Sequence, residues 1–191
     1  MTTFVALLRS INVGGRNRLP MADLRRMVAS LGFGAVETYL QSGNVVFTGA
    51  GTASGAARAI EARIAGDLGL DVPVIVRSKP QVARILRDNP YAGLGVDPRT
   101  VHVTFLAGPP DDRHRRELGA EAATSGPNGR FGDDRFQPVG ADVFVYCPGG
   151  YGRTTLNNGY FERRAGRVAT TRNWRTVSAL AGMVDLESTR A

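Results

Sequence analysis

The sequence predicts an α+β fold of two fused ferredoxin-like units, each with the element order βαββαβ and an antiparallel sheet. Short apolar runs of strand length alternate with longer segments whose apolar residues recur at helical spacing, and this order occurs twice. The 191 residues are enough to bury one sizeable core or two small ones. We therefore expect a first unit at residues 1–78, a linking helix and loop at 79–99, and a second unit with a C-terminal helix at 100–191.

In the first unit, four predicted strands enclose two predicted helices. Pro20 opens the first helix, because proline is favoured at the first helical position. The second helix is indicated by Ala57, Ile60 and Ile64, which recur at a spacing close to one helical turn. The predicted strands are residues 3–9, 36–40, 45–48 and 72–77.

The second unit repeats this order, although its residues show no visible repeat of the first. Ser78 is expected to cap the short linking helix, and Pro109-Pro110 begins the first helix of the second unit. Thr154 is expected to cap a further helix, and one more amphipathic helix ends the chain. The predicted strands are residues 101–105, 135–139, 143–147 and 167–171.

The chain carries a formal net charge of +7 and has a pI of about 10.4, which permits binding to phosphates or nucleic acid. Lys79 is the only lysine, so nearly all positive charge is arginine, spread along the chain instead of clustered. The longest basic run, residues 113–116, is flanked by acidic residues and is typical of a solvated helix face. The positive charge by itself is therefore better explained by a bias in amino-acid composition than by a surface that binds nucleic acid.

Cys147 is the only cysteine, which excludes an internal disulfide and a thiolate-rich metal site. Its place at the end of an apolar run predicts a buried, inert thiol. His102 and His114 have no neighbour at metal-ligand spacing, so neither a metal site nor a cofactor is predicted. No stretch approaches the roughly 18 apolar residues of a membrane span, and the chain begins with a strand instead of a signal peptide. We expect a cytoplasmic protein with no membrane partner.

Two polar, glycine-bearing loops are the strongest indication of a site. One follows the first strand at residues 9–17, and the other joins the second and third strands at 41–44. Because the first strand lies beside the third in this fold, we expect the loops to meet, and their amides to form an anion-binding nest. The alternative is that Asn and Gly only satisfy tight turns. The predicted ligand-binding residues are Arg9, Asn12, Gly14, Gly15, Asn17, Gln41, Ser42 and Asn44.

A third polar stretch, residues 170–175, precedes the last helix. Thr171 or Asn173 can cap that helix, whose N-terminus carries positive partial charge. Arg172, Asn173 and Trp174 are therefore predicted to bind an anion with an attached ring. The alternative is a capped helix that Trp174 anchors to the core. No acid, base or nucleophile is evident in the three stretches, so the sequence leaves open whether the protein is an enzyme.

These stretches lie in longer motifs, which read LRSINVGGRN at residues 8–17 followed by LPM at 19–21, YLQSGNVVF at 39–47 and ATTRNWRTV at 169–177. The motifs span nearly the whole chain and together closely resemble the bacterial domain-of-unknown-function family 1697. One departure is Ser10, where that family usually has glycine. The resemblance implies a duplicated ferredoxin-like arrangement and candidate residues, but no reaction.

Three functions are consistent with these observations. The first is binding of a phosphate-bearing ligand, either a nucleotide or a nucleic acid, by the polar stretches. The second is catalysis on a small anionic substrate, with the same residues as binding groups. The third is a structural or regulatory module without a ligand, in which the motifs are turns and caps. The polar, non-catalytic residue types favour the first.

Overall fold

The computed structural model describes residues 1–14 and 17–190, with side chains as far as Asp185. The chain divides into two compact units, one formed by Met1–Arg84 with the segment from Ala179 onwards, the other by Ile85–Ser178. Over the described residues, each unit contains one four-stranded antiparallel sheet in the element order βαββαβ, and a C-terminal helix is present. The predicted fold class is confirmed.

The first unit contains β1 (Thr2–Leu8), α1 (Met21–Ser30), β2 (Gly34–Tyr39), β3 (Asn44–Gly49), α2 (Ala53–Leu68), β4 (Val74–Ser78) and most of α3 (Lys79–Arg87). Its sheet has the order β2-β3-β1-β4. One face of this sheet packs against the helices, where Phe4, Phe47 and Val76 join Leu24 of α1 and Ile60 of α2 in a single core. The central strand β1 therefore ends beside the turn between β2 and β3.

The second unit contains β5 (Val101–Leu106), α4 (Asp112–Ala123), β6 (Arg135–Val139), β7 (Asp142–Tyr146), α5 (Asn158–Ala165), β8 (Ala169–Asn173) and the start of α6 (Trp174–Arg190). Its sheet has the corresponding order β6-β7-β5-β8. Leu118 of α4 and Phe161 of α5 pack with Phe136, Val143 and Val145 of the sheet.

Helix α5 begins later than the sequence suggests, and the prediction that Thr154 caps it is wrong. The cap is Asn157, whose Oδ1 accepts a hydrogen bond from the Tyr160 amide at 3.1 Å. The Thr154 hydroxyl instead accepts from the Leu156 amide at 3.0 Å. The physical reason is a separate 3₁₀ turn at Tyr151–Arg153, which uses Thr154 as its C-terminal flank.

The strands of the two sheets pair in corresponding registers. The amino-acid sequences of the two units show no visible repeat that would reveal this. Leu7 of β1 pairs with Asn44 of β3, and Phe105 of β5 pairs with Asp142 of β7, so a buried polar residue begins the third strand of each sheet. Equivalent positions in the two units follow from this register. They include Phe4 and His102, Ala6 and Thr104, Val76 and Thr171, and Arg77 and Arg172.

Candidate functional site

The two polar loops of the first unit meet at one end of its sheet. The Asn12 side chain donates from Nδ2 to the Gln41 carbonyl at 2.8 Å, which joins the loop after β1 to the turn between β2 and β3. Next to this bond, the Leu8 amide donates to the Gly43 carbonyl at 2.8 Å. We call the surface formed by residues 9–14, 17 and 41–44 the two-loop surface.

The Asn12 amide group holds this surface together through three hydrogen bonds to main-chain groups. Besides the bond to Gln41, Nδ2 donates to the Leu19 carbonyl at 2.9 Å, and Oδ1 accepts from the Leu19 amide at 2.8 Å. Asn17 closes the same loop, because its carbonyl accepts from the Asn12 amide at 3.1 Å and its Nδ2 donates to the Ser10 carbonyl at 3.3 Å. Asn12 and Asn17 therefore shape the loop.

Asn44 and Gly43 fix the turn from within. Asn44 is fully buried, and its Nδ2 donates to the Tyr39 carbonyl at 2.7 Å and to the Ser42 hydroxyl at 3.0 Å. Gly43 has a φ of +73°, and a Cβ there would lie 2.5 Å from Cδ1 of Ile11. Only glycine satisfies both the left-handed backbone and this close approach.

Left-handed backbone conformations are concentrated at the two-loop surface. Ser10, Asn12 and Asn17 have φ values of 56°, 54° and 48°, and Leu40, just before the turn, has a φ of 57°. For a residue such as leucine this conformation costs about 1–2 kcal/mol. Strain of this kind persists only where surrounding contacts enforce it, and it is typical of functional surfaces.

The side chains presented to solvent differ from those that build the loops. Gln41 and Ser42 are exposed, and Arg9 is half-buried, with its guanidinium donating to the Ser10 hydroxyl at 3.1 Å. The two loop segments carry no Asp or Glu from 1 to 22 or from 38 to 60, whereas Asp71 lies two residues before Pro73, whose carbonyl accepts from the Arg9 amide at 2.9 Å. The surface thus combines guanidinium, amide and hydroxyl groups. Gly14 is exposed with a φ of 59°, whereas Gly15 lies outside the described residues.

The third polar stretch lies in the second unit and has a different character. Arg172 is a buried residue of β8, where its Nη1 donates at 2.9 Å both to the Thr170 hydroxyl and to the Thr171 carbonyl. Burial lowers the pKa of its guanidinium to about 10. Asn173 caps α6 by accepting from the Thr176 amide at 2.8 Å. The binding role of Arg172, Asn173 and Trp174 therefore stays a prediction.

Trp174 is half-buried, with its ring centroid 6.5 Å from that of Phe144. The tilt of 52° between the two rings is that of an ordinary packing contact. Trp174 therefore contributes to the packing of the first turn of α6, as the alternative interpretation of the sequence expects.

Sequence reasoning missed a group of buried and half-buried polar side chains on the helix-facing side of the second sheet. The Thr171 hydroxyl lies 2.7 Å from that of Thr104 and donates at 2.7 Å to Oδ1 of Asn158, at the start of α5. The His102 ring stacks on that of Tyr151 with centroids 4.4 Å apart. We call these five residues the polar layer. The only signal in the sequence was His102 and Thr104 alternating with apolar residues, which is typical of a strand with one solvated face.

Cys147 is fully buried beside this layer, and burial raises the pKa of its thiol to about 11. A thiol that remains protonated at neutral pH is neither a nucleophile nor a metal ligand, which agrees with the expected inert cysteine. Within residues 1–14 and 17–190, no three His, Cys, Asp or Glu side chains gather in a way that could hold a metal ion. In the same residues, no helix has the length and apolar character needed to cross a lipid bilayer.

Fold and site together define an α+β protein of duplicated ferredoxin-like units with a polar, amide-rich surface on the first unit. Over residues 1–144 the sequence matches the family described as a protein of unknown function, DUF1697, and the chain belongs to that family. The structure is similar to that of the conserved bacterial protein SP0830 from Streptococcus pneumoniae, with a TM-score of 0.72. The two share 22% identity over 96% of this chain and 98% of that chain, so the likeness is one of fold. No curated protein matches the sequence significantly.

Proposed function

We propose that the protein binds a phosphate-bearing ligand, a nucleotide or a nucleic acid, on the two-loop surface, and that it does so in the cytoplasm. The observation that carries the proposal is the Asn12 bridge to the Gln41 carbonyl at 2.8 Å. This bridge fixes two strained polar loops side by side, and neither loop segment contains an acidic residue. Preorganised donors in such a region favour an anion.

The residues of this surface divide into two groups under the proposal. Asn12, Asn17 and Asn44 hold the loops, because their amide groups are engaged by neighbouring main-chain and hydroxyl groups. Arg9, Gln41 and Ser42, with the amide of Gly14, contact the ligand. A guanidinium binds phosphate oxygens through charge-assisted hydrogen bonds, and the amide and hydroxyl groups complete the coordination.

The composition of the surface favours binding over catalysis. Arginine, glutamine and serine without a neighbouring base supply hydrogen bonds and charge, but no group that accepts a proton near neutral pH. Val13, in the first loop, and Leu40, just before the turn, are 65% and 55% exposed. They offer an apolar contact for the base or sugar of a nucleotide.

Calorimetric titration with pyrophosphate, ATP and a short single-stranded RNA tests the proposal. We expect at least one of these to bind, and Arg9→Ala to weaken it by about tenfold or more, since a hydrogen bond to a charged group contributes about 1.5–3 kcal/mol. The matched control is Arg58→Ala, an exposed arginine on α2 of the same unit. Its affinity should stay within about twofold of wild type.

Two results would contradict the proposal. One is the failure of all three probes to bind at low salt. The other is an equal loss of affinity in Arg9→Ala and Arg58→Ala, which would show attraction by net charge alone. If the RNA binds, Arg9→Ala should also reduce the slope of log affinity against log salt by about one.

A further inference from the structure

An open cavity lies between the two helices that cover the sheet of the first unit. It is lined by side chains from α1 and from the C-terminal half of α2. Its volume is about 430 Å³, within the range of roughly 300–1,000 Å³ that is typical of small-molecule sites. None of its lining residues belongs to the two-loop surface, so the cavity is a separate candidate site.

The polar part of the lining carries two positive and two negative charges. On α1, the guanidinium of Arg26 donates to Oδ1 of Asp23. On α2, Nε of Arg63 donates to Oδ2 of Asp67 at 2.8 Å. Because the formal charges of these four side chains add up to zero, a ligand with a net charge of either sign meets as many repelling groups as attracting ones. A ligand that carries both signs gains from all four.

The rest of the lining is largely apolar. Met27 is buried and belongs to the core of the unit, whereas Leu68, at the end of α2, is 41% exposed. The Ser30 hydroxyl, which donates to the Met27 carbonyl at 2.7 Å, adds an acceptor. An apolar group in the cavity would remove surface of Leu68 from water, which is favourable.

The corresponding helices of the second unit are joined across the space between them. Glu121 of α4 accepts a hydrogen bond from the Tyr160 hydroxyl of α5 and lies 2.8 Å from Nη2 of Arg164, also on α5. In the part of the chain that the structure describes, the four charged side chains of the cavity are bonded only within their own helix. This topology therefore allows an ion pair that closes the space, but α1 and α2 keep their charges apart and leave it open.

The ion pairs of the cavity can exchange partners at little cost. The Arg26 side chain is 76% exposed, and exposed pairs three or four residues apart on a helix contribute little to stability. When a ligand carboxylate takes the place of Asp23 at Arg26, Asp23 becomes available for the ammonium of the same ligand. Every charge then remains paired, which is the condition for bringing charged groups together out of water.

We propose that the cavity between α1 and α2 binds a small zwitterion with an apolar side chain, either an amino acid or a short peptide. The two guanidinium groups of the lining bind the carboxylate of the ligand, and the two aspartates bind its ammonium. The apolar side chain covers Leu68. This site goes beyond the proposed function, because it takes a different class of ligand through different residues.

Titration of the ¹⁵N-labelled protein with leucine and with leucyl-leucine tests this site. We expect saturable shifts of the Arg26 and Arg63 Nε signals and of the Leu68 amide with at least one of the two. The tighter ligand tells a free amino acid from a peptide. Leucinamide lacks the carboxylate and N-acetyl-leucine lacks the ammonium. Each should bind about fivefold more weakly or worse, because it loses charge-assisted hydrogen bonds.

Two neighbouring arginines of α1 provide a matched pair of variants. Arg26→Gln removes a guanidinium that lines the cavity, whereas Arg25→Gln removes an exposed guanidinium outside the lining and changes the net charge equally. We expect Arg26→Gln to weaken binding of the zwitterion by about fivefold or more, and Arg25→Gln to leave it within about twofold of wild type.

Three results would overturn the proposal. The first is the absence of saturable shifts with both leucine and leucyl-leucine. The second is binding of leucinamide or N-acetyl-leucine as tight as that of the zwitterion. The third is equal affinity of Arg25→Gln and Arg26→Gln for the zwitterion, which would show that the cavity does not hold it.

Discussion

At the residue scale, Asn12 shows how one side-chain amide can hold two loops together. Its three hydrogen bonds all go to main-chain groups of Leu19 and Gln41, and its φ of 54° suits asparagine better than most residues. The sequence predicts such residues as ligand contacts because their donors and acceptors look uncommitted. In the structure those groups are engaged by the backbone, so their contribution to binding is to position other residues.

Asn12→Ala should therefore destabilise the protein. It leaves the amide of the buried Leu19 without its acceptor, and it places alanine in a left-handed conformation. We expect the free energy of unfolding to fall by about 2–3 kcal/mol in urea denaturation. Gln41→Ala is the matched control, because only the Gln41 carbonyl takes part in the bridge. An equal effect of the two substitutions would contradict this role of Asn12.

Other residues show why sequence reasoning has limits at this scale. The sequence places Arg172 in a polar stretch before a helix, where it is predicted to bind an anion, and the structure places it as a buried strand residue bonded to Thr170 and Thr171. Its environment depends on β8 pairing with β5, a contact between segments about 70 positions apart that no local pattern encodes. The same non-local pairing hides the polar layer, because Thr104 and Thr171 meet only in the folded sheet.

At the scale of elements, periodicity predicts most of the secondary structure. Helix α1 begins directly after Pro20, as expected, and the hairpin between β2 and β3 contains the predicted turn at 41–44. Strand adjacency in a ferredoxin-like unit also predicts that the two polar loops meet, which the Asn12 bridge shows. The start of α5 was less predictable, because the glycine-rich segment before it forms its own 3₁₀ turn.

The turn between β2 and β3 provides a sharp test of close packing. Gly43→Ala should lower the free energy of unfolding by about 2–4 kcal/mol, because a Cβ would lie 2.5 Å from Cδ1 of Ile11 and 2.8 Å from Cβ of Leu8. Gly32→Ala is the control: Gly32 has a comparable φ of +84° but open space around it. It should cost only about 1 kcal/mol, for the backbone alone. Equal losses in thermal or urea unfolding would show that packing at Gly43 is unimportant.

At the scale of the whole molecule, one topology is used twice with different chemistry. Both sheets have the same strand order and register, yet the first unit carries the two-loop surface and the second carries the polar layer. Length and composition allow one sizeable core or two small ones and do not indicate this division. It emerges only when equivalent positions such as Phe4 and His102 are compared through the strand register.

Burial of His102 gives the folding stability a defined dependence on pH. Its pKa is lowered in the folded protein, so on acidification the unfolded chain takes up a proton first. Stability should be full above the ordinary histidine pKa of about 6.5 and should fall as the pH drops through that value. Urea unfolding at a series of pH values from about 8 to 5.5 measures this dependence, and His102→Phe should flatten it. Equal pH dependence in the two proteins would contradict a buried neutral His102.

Ligand binding at the two-loop surface is tested most directly by a map of amide chemical shifts during titration of the ¹⁵N-labelled protein with pyrophosphate and with ATP. Binding at the two-loop surface predicts saturable shifts at Gly14, at residues 41–43 and at the Arg9 Nε, with the second unit unaffected. In Arg9→Ala the same signals should move only at higher ligand concentration. Absence of shifts, or saturable shifts confined to the start of α6 around Asn173, would contradict binding at the two-loop surface.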